Sequence, residues 1–164
     1  MPEPGADTPL DAEQILRALA EHDVDYMVVG GLAVQTHGHV RTTVDVDIWP
    51  APEPDNLGRL AAALRALDAR VLNADAERLT IDATTLPRAT LWQLATRHGA
   101  VDVLHEAPGA PSYSELRDRA LEVRLGEITV PVAGLDDLIA MKRASGRAID
   151  LDDIAALTEP ASTA

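Results

Sequence analysis

A chain of 164 residues, 46% of them hydrophobic and none of them cysteine, is long enough to bury the core of one domain. It has no disulfide scaffold, thiolate metal site or cysteine nucleophile. A net charge of −13 argues against a grip on long nucleic acid, which needs clustered cations to release counterions, although the seven arginines from Arg88 to Arg147 can form a local patch for a nucleotide or an RNA end.

The acidic start Met1-Pro2-Glu3-Pro4 lacks the basic and apolar regions of a signal peptide, and no apolar run approaches the ~20 residues of a membrane span. A cytoplasmic protein without membrane contact is therefore expected. Residues 1–8 and 159–164 read as flexible tails around a single domain at 9–158. Thr8-Pro9 supplies an N-cap and first-turn proline for a helix reaching about Glu21, with Leu10, Ile15, Leu16 and Leu19 facing inward. Tyr26 to Val29 is a strand that runs into Gly30-Gly31. Leu32 to Thr36 is a short helix ended by His37-Gly38, and Thr43 to Trp49 is a second strand stopped by Pro50, Pro52 and Pro54.

Leu57, Leu60, Ala61, Leu64 and Leu67 form one apolar helical stripe. A strand near Arg70 to Leu72 leads into a polar stretch, without clear periodicity, as far as Pro87. Thr90 to Thr96 and Ala100 to His105 flank a Gly turn and predict a hairpin, followed by a short helix from Tyr113 to Ala120. Leu121 to Leu125 and Ile128 to Val132 predict a second hairpin. Helices from about Leu135 to Ala144 and Leu151 to Leu157 close the chain.

The chemistry concentrates between residues 28 and 49. Side chains two apart on a strand share a face, so Asp45 and Asp47 project together while Val44, Val46 and Ile48 pack on the other side. Paired carboxylates on a rigid strand suit a hard divalent cation such as Mg²⁺, which is usually held with substrate phosphates. The Gly30-Gly31 turn ahead of a helix offers backbone N–H groups where such phosphates would sit. Together these features suggest phosphoryl chemistry on a nucleoside triphosphate. Arg41 stands between substrate contact and an ion pair to Asp45 or Glu53. Arg147 reads as an interhelix partner of Asp150 or Asp153, and His37 as a helix cap.

Gly30-Gly31, thirteen intervening residues and Asp45-Val46-Asp47-Ile48 resemble the signature of the polymerase-β-type nucleotidyltransferase superfamily. Within it, Gly30, Gly31, Ala33, His37, Gly38, Arg41, Thr43, Asp45 and Asp47 are similar to the pattern of small bacterial proteins related to AbiEii-type toxins of type IV toxin–antitoxin pairs. The segment from Leu135 through Lys142, Gly146-Arg147 and Asp150 to Asp153 resembles the C-terminal helices of the same group, so the likeness spans about residues 26–157. Where many active members carry Gly-Ser, this chain carries Gly-Gly.

The resemblance implies an α/β (α+β) fold: a small mixed sheet with the Gly-Gly helix and the Asp-x-Asp strand, helices on one face, and a C-terminal helical pair. It implies Mg²⁺-dependent transfer of a nucleoside monophosphate from an NTP to an acceptor hydroxyl, with pyrophosphate released. Two Mg²⁺ ions, or Mn²⁺, would be held by Asp45, Asp47 and a third carboxylate. Asp102, between apolar neighbours on a strand after a Gly turn, is the candidate for the third, with Asp82 and Glu106 as rivals. Nucleotide contacts are implied at Gly30, Gly31, Arg41, Thr43 and Lys142, the last on the triphosphate. The acceptor is open among a tRNA 3′ end, a protein side chain and a small molecule, and an antitoxin partner fits the same context, whereas extended DNA binding does not. A non-catalytic nucleotide-binding module acting through a protein partner, and a metal-dependent sugar transferase, are the alternatives.

Overall fold

The computed structural model describes residue 5, residues 7–72 and residues 79–159. Most of the expected tails, and part of the expected polar stretch, lie outside the described residues. The first helix, α1 (Ala12–Glu21), starts later than Thr8-Pro9 predicts: the Asp11 carboxylate accepts the Gln14 N–H at 3.3 Å and caps it. Strand β1 (Tyr26–Val29) passes directly into α2 (Gly30–Thr36). Strand β2 (Asp45–Pro50) begins at the first carboxylate, and α3 (Pro54–Ala66) follows with proline in its first turn.

Strands β3 (Arg70–Val71), β4 (Leu91–Thr96) and β5 (Gly99–Leu104) come next, with a short 3₁₀ turn at Leu86–Arg88 before β4. That turn gives structure to the end of the polar stretch, where Leu86 is buried. Helix α4 (Tyr113–Asp118) opens on a Ser112–Glu115 capping box. Strands β6 (Leu121–Leu125) and β7 (Ile128–Val132) form the second hairpin, and α5 (Leu135–Ser145) and α6 (Ala148–Thr158) end the fold. No described helix is long and apolar enough to cross a membrane.

Among the described residues, seven strands make one mixed sheet in the order β3-β4-β5-β2-β1-β7-β6. The β2–β5 and β1–β7 pairs are parallel and the other pairs antiparallel. One face carries Val28, Val46, Ile48, Leu94, Val101 and Val103, packed with Ile15, Leu16 and Leu19 of α1 and the Leu57, Leu60, Ala61 and Leu64 stripe of α3. Each fully buried valine, leucine or isoleucine here contributes roughly 1.5–3 kcal/mol, so this layer is the main anchor of the fold.

The opposite face holds a smaller cluster, in which Met27, Val29 and Trp49 meet Leu116 of α4, with Leu104 and Met141 packed against it. Helices α1 and α3 thus take one face, as expected. The short α4 and part of α5 add cover on the other face. Strand β2 shows what this cover leaves open. Its outward positions read Asp45, Asp47, Trp49: the apolar cluster reaches Trp49, and the two carboxylates lie toward the other end.

Candidate active site

Register builds the acidic cluster. Asp47 pairs with Val29 across the antiparallel β1–β2 ladder, which sets it beside the Gly30 turn, and with Asp102 across the parallel β2–β5 ladder. Asp45 lies two residues before it on the same face. One carboxylate oxygen from each of Asp45, Asp47 and Asp102 lies within 4.8 Å of the others, and all three residues are half-buried. Of the three candidates for the third carboxylate, the structure therefore brings Asp102 to the pair. Asp82 is instead a turn residue, accepting hydrogen bonds from the backbone N–H groups of Thr84 and Thr85 at 2.8 and 2.9 Å. Glu106 stands apart, at the rim of two cavities.

The electrostatics follow from crowding. Burial first, and then the charges of Asp45 and Asp102, push the Asp47 carboxyl up to about 7, while a hydrogen bond from the Gly31 N–H and the charge of Lys142 pull it back. Asp102 is pushed up to about 6, by burial and then by Asp45. Asp45 is also raised by burial, against the opposing charges of Arg41 and Arg147. Three half-buried carboxylates that resist ionising together form a site that a hard divalent cation would relieve, and their all-oxygen donor set suits Mg²⁺ or Mn²⁺.

The Gly-Gly turn differs in detail from its expected use. Gly30 takes φ +66°, which lets the chain turn from strand to helix without a linker. Its Cα lies against the Asp47 carboxylate, and Gly31 donates its N–H to that same group. The turn holds a carboxylate in place, so the Gly31 amide already has a partner.

Arg41 pairs with neither Asp45 nor Glu53. Its Nε and Nη2 donate to the two carboxylate oxygens of Asp153 at 2.8 and 3.0 Å, with the guanidinium lying over Gly31. Thr43 Oγ1 donates to the Asp45 carbonyl at 3.1 Å.

Lys142 requires a correction. The sequence reading has it reaching out from α5 toward a triphosphate, yet its side chain is only 6% exposed. Its Nζ lies 2.8 Å from Asp153 and 3.3 Å from Asp150, both on α6 and both buried. Arg147 does pair with Asp150, one of its two expected partners, but across the start of α6 and not between helices. It caps α6, its Nε donating to Asp150 at 2.8 Å, while Lys142 makes the interhelix link. Burial pushes Asp150 upward, but the Arg147 hydrogen bonds and the Lys142 charge prevail and hold it near 2. Asp150 and Asp153, expected only as partners of Arg147, also hold Lys142 and Arg41. Two carboxylates at i, i+3 on the helix after a lone lysine were the available signal. His37 ends α2, and its Nε2 lies 2.8 Å from the Ala133 carbonyl.

Residues 10–158 match the family described as "Nucleotidyltransferase of unknown function (DUF6036)". The chain belongs to this family of nucleotidyltransferases. Its fold is similar to that of the lincosamide antibiotic adenylyltransferase LnuA with lincomycin bound, at 14% identity and a TM-score of 0.62, over 91% of this chain and 97% of that one. It is also similar to the antibiotic-resistance factor ANT(2'')-Ia in solution, at 16% identity and a TM-score of 0.59, over 88% and 79% of the two chains. The same factor in complex with adenylyl-2''-tobramycin gives 15% identity and a TM-score of 0.55, over 88% and 84%. No curated protein sequence matches the chain. These matches concern the nucleotidyltransferase family and fold, and not the narrower likeness to AbiEii-type toxins.

Proposed function

We propose that the protein transfers a nucleoside monophosphate from an NTP to an acceptor hydroxyl, using Asp45, Asp47 and Asp102 as its metal-holding and catalytic carboxylates. The observation that carries this reading is the convergence of these three carboxylates, from two adjacent strands, beside the Gly30 turn. Membership of a nucleotidyltransferase family supplies the reaction class. Mg²⁺ held by the three carboxylates would supply neutralising charge for the triphosphate and for an in-line displacement at phosphorus.

The chain's own residues do the rest. Asp45 and Asp47 are fixed to one strand face, so their spacing does not depend on a loop. Asp102, beside Asp47 on the neighbouring strand, is placed to take the acceptor's hydroxyl proton. The hydroxyl oxygen forms a bond to the α-phosphorus as the bond from that phosphorus to the α–β bridging oxygen breaks, and pyrophosphate leaves with the electron pair. Arg41, anchored on Asp153 over the Gly-Gly turn, keeps positive charge close to the α2 N-terminus. A toxin–antitoxin context rests on the resemblance alone.

The test is transfer of label from each α-³²P-labelled NTP, with Mg²⁺, into total cell extract. Asp45→Asn and Asp47→Asn are each expected to abolish transfer with the fold intact. Asp102→Ala should lose transfer while keeping Mg²⁺–NTP binding. Near wild-type turnover in either Asn variant at saturating Mg²⁺ would sink the assignment.

A further inference from the structure

A cavity of about 330 Å³ opens beside the acidic cluster, between α5 and the sheet. Gly30 stands at its edge next to Asp47, and Val29, Leu91, Leu104, Leu138 and Met141 give it an apolar lining. Leu104 follows Asp102 by two residues on β5, so it lies on the same sheet face about 7 Å along the strand. A molecule resting on Leu104 therefore has one end within reach of the Asp102 carboxylate. The volume falls at the small end of the range for small-molecule sites.

Charge narrows the occupant. Lys142, Arg147 and Asp150 also line the cavity, and both cations already have carboxylates: Lys142 pairs with Asp153 at 2.8 Å and with Asp150 at 3.3 Å, and Arg147 with Asp150 at 2.8 Å. Glu106, exposed at the rim, has no hydrogen-bond or ion-pair partner among the described residues, so it is a carboxylate left open to a cation. The cavity on the far side of Glu106, which shares Glu106 and Ala107, is lined by Trp49, Tyr113 and prolines and by no lysine or arginine. An RNA 3′ end entering here would bring its own phosphates to an unpaired carboxylate in a chain of net charge −13.

We propose that this cavity seats the acceptor, a small molecule with an apolar portion against Leu104 and Met141, a basic amine at Glu106, and its reacting hydroxyl at Asp102. The proposal rests on the nucleotidyl-transfer reading and adds the acceptor class. The transferred group forms its new bond to that hydroxyl oxygen, pyrophosphate leaves, and the hydroxyl proton passes to Asp102.

The test incubates the full chain with each α-³²P-labelled NTP, Mg²⁺ and one of four probes. Lincomycin and N-benzylethanolamine each combine one amine, a hydroxyl and an apolar portion. Tobramycin offers several amines without an apolar face, and total tRNA represents a polyanion. Label is expected in one or both of the single-amine probes. Glu106→Gln should then raise the KM for that probe about tenfold, with kcat and NTP affinity within twofold, as expected for loss of one charge-assisted contact. Glu106→Asp should recover part of the loss. Label in tRNA or polypeptide, label in tobramycin alone, or an unchanged KM in Glu106→Gln overturns the proposal. Mg²⁺–NTP binding without label in any probe also overturns it, and leaves the transfer reading standing. Failure to bind NTP overturns both.

Discussion

The Asp47 carboxylate packs directly against the Cα of Gly30, so that a methyl group on Gly30 would occupy the space the carboxylate fills. The glycine is thus tied to the acidic cluster twice, through its positive φ and through this contact.

Gly30→Ala should be damaging on both counts. The left-handed backbone alone costs roughly 1–2 kcal/mol for an L-residue, and displacement of Asp47 adds to it. A lower unfolding midpoint together with weakened Mg²⁺–NTP binding is expected. Gly31→Ala provides the contrast. Its new methyl meets Thr43 Oγ1 at 2.9 Å and the Arg41 guanidinium at 3.1 Å, side-chain ends that can shift, and Gly31 does not share the positive φ. Thermal melts and calorimetric titration of the two variants decide the matter: equal behaviour would dissociate the turn from the cluster.

The acidic cluster also sets a pH dependence with a defined sign. Asp47 and Asp102 hold protons more tightly in the folded chain, at about 7 and about 6, than at their ordinary value of 3.8. Between those values the folded state binds more protons than the unfolded one, so stability falls as pH rises. Their favourable contribution is complete below about 4 and lost as pH passes through 6 to 7. Without divalent cations, the unfolding midpoint should therefore fall between pH 5 and pH 8. Mg²⁺ should raise it more at pH 8 than at pH 5, because the ion binds ionised carboxylates. Asp47→Asn should flatten the profile. A midpoint that rises steadily across this window in the absence of Mg²⁺ would contradict the arrangement.

Much of this was legible in the chain. Period-two alternation sets Asp45 and Asp47 on one face, the Gly turn before Ala100 announces the hairpin bearing Asp102, and the Leu57 to Leu67 stripe announces α3. These signals are local, and local patterns survive folding when one face of an element must be buried. Whether Lys142 is solvated or buried depends on Asp150 and Asp153 of the next helix, and on how α5 and α6 meet. No periodicity of α5 alone contains that information. Helix α1 starts at Ala12 and not after Thr8-Pro9 because the Asp11 side chain makes the capping hydrogen bond. Glu106 follows β5 with nothing in its neighbours to mark it, and its interest comes from the cavities that the 105–111 segment separates.

The buried position of Lys142 reverses the expectation for its removal. A solvated phosphate contact could be deleted with the unfolding midpoint nearly unchanged. Here Nζ lies between Asp150, 1% exposed at its side chain, and Asp153, fully buried. Lys142→Met would leave both carboxylates short of a partner in a low-dielectric region. Arg147 still covers Asp150 and Arg41 still covers Asp153, so the loss should fall near the lower end of what breaking a buried pair costs, about 3 kcal/mol. NTP affinity, measured well below the melting midpoint with Ca²⁺ in place of Mg²⁺ to slow turnover, should fall less than tenfold, because two of the three ammonium donors already serve Asp150 and Asp153. The double variant Lys142→Met with Asp153→Asn should recover no stability, because it also takes from Arg41 the carboxylate that its guanidinium binds. A single variant with an unchanged midpoint and a large loss of NTP affinity would show the lysine acting on phosphate in place of the two helices it joins.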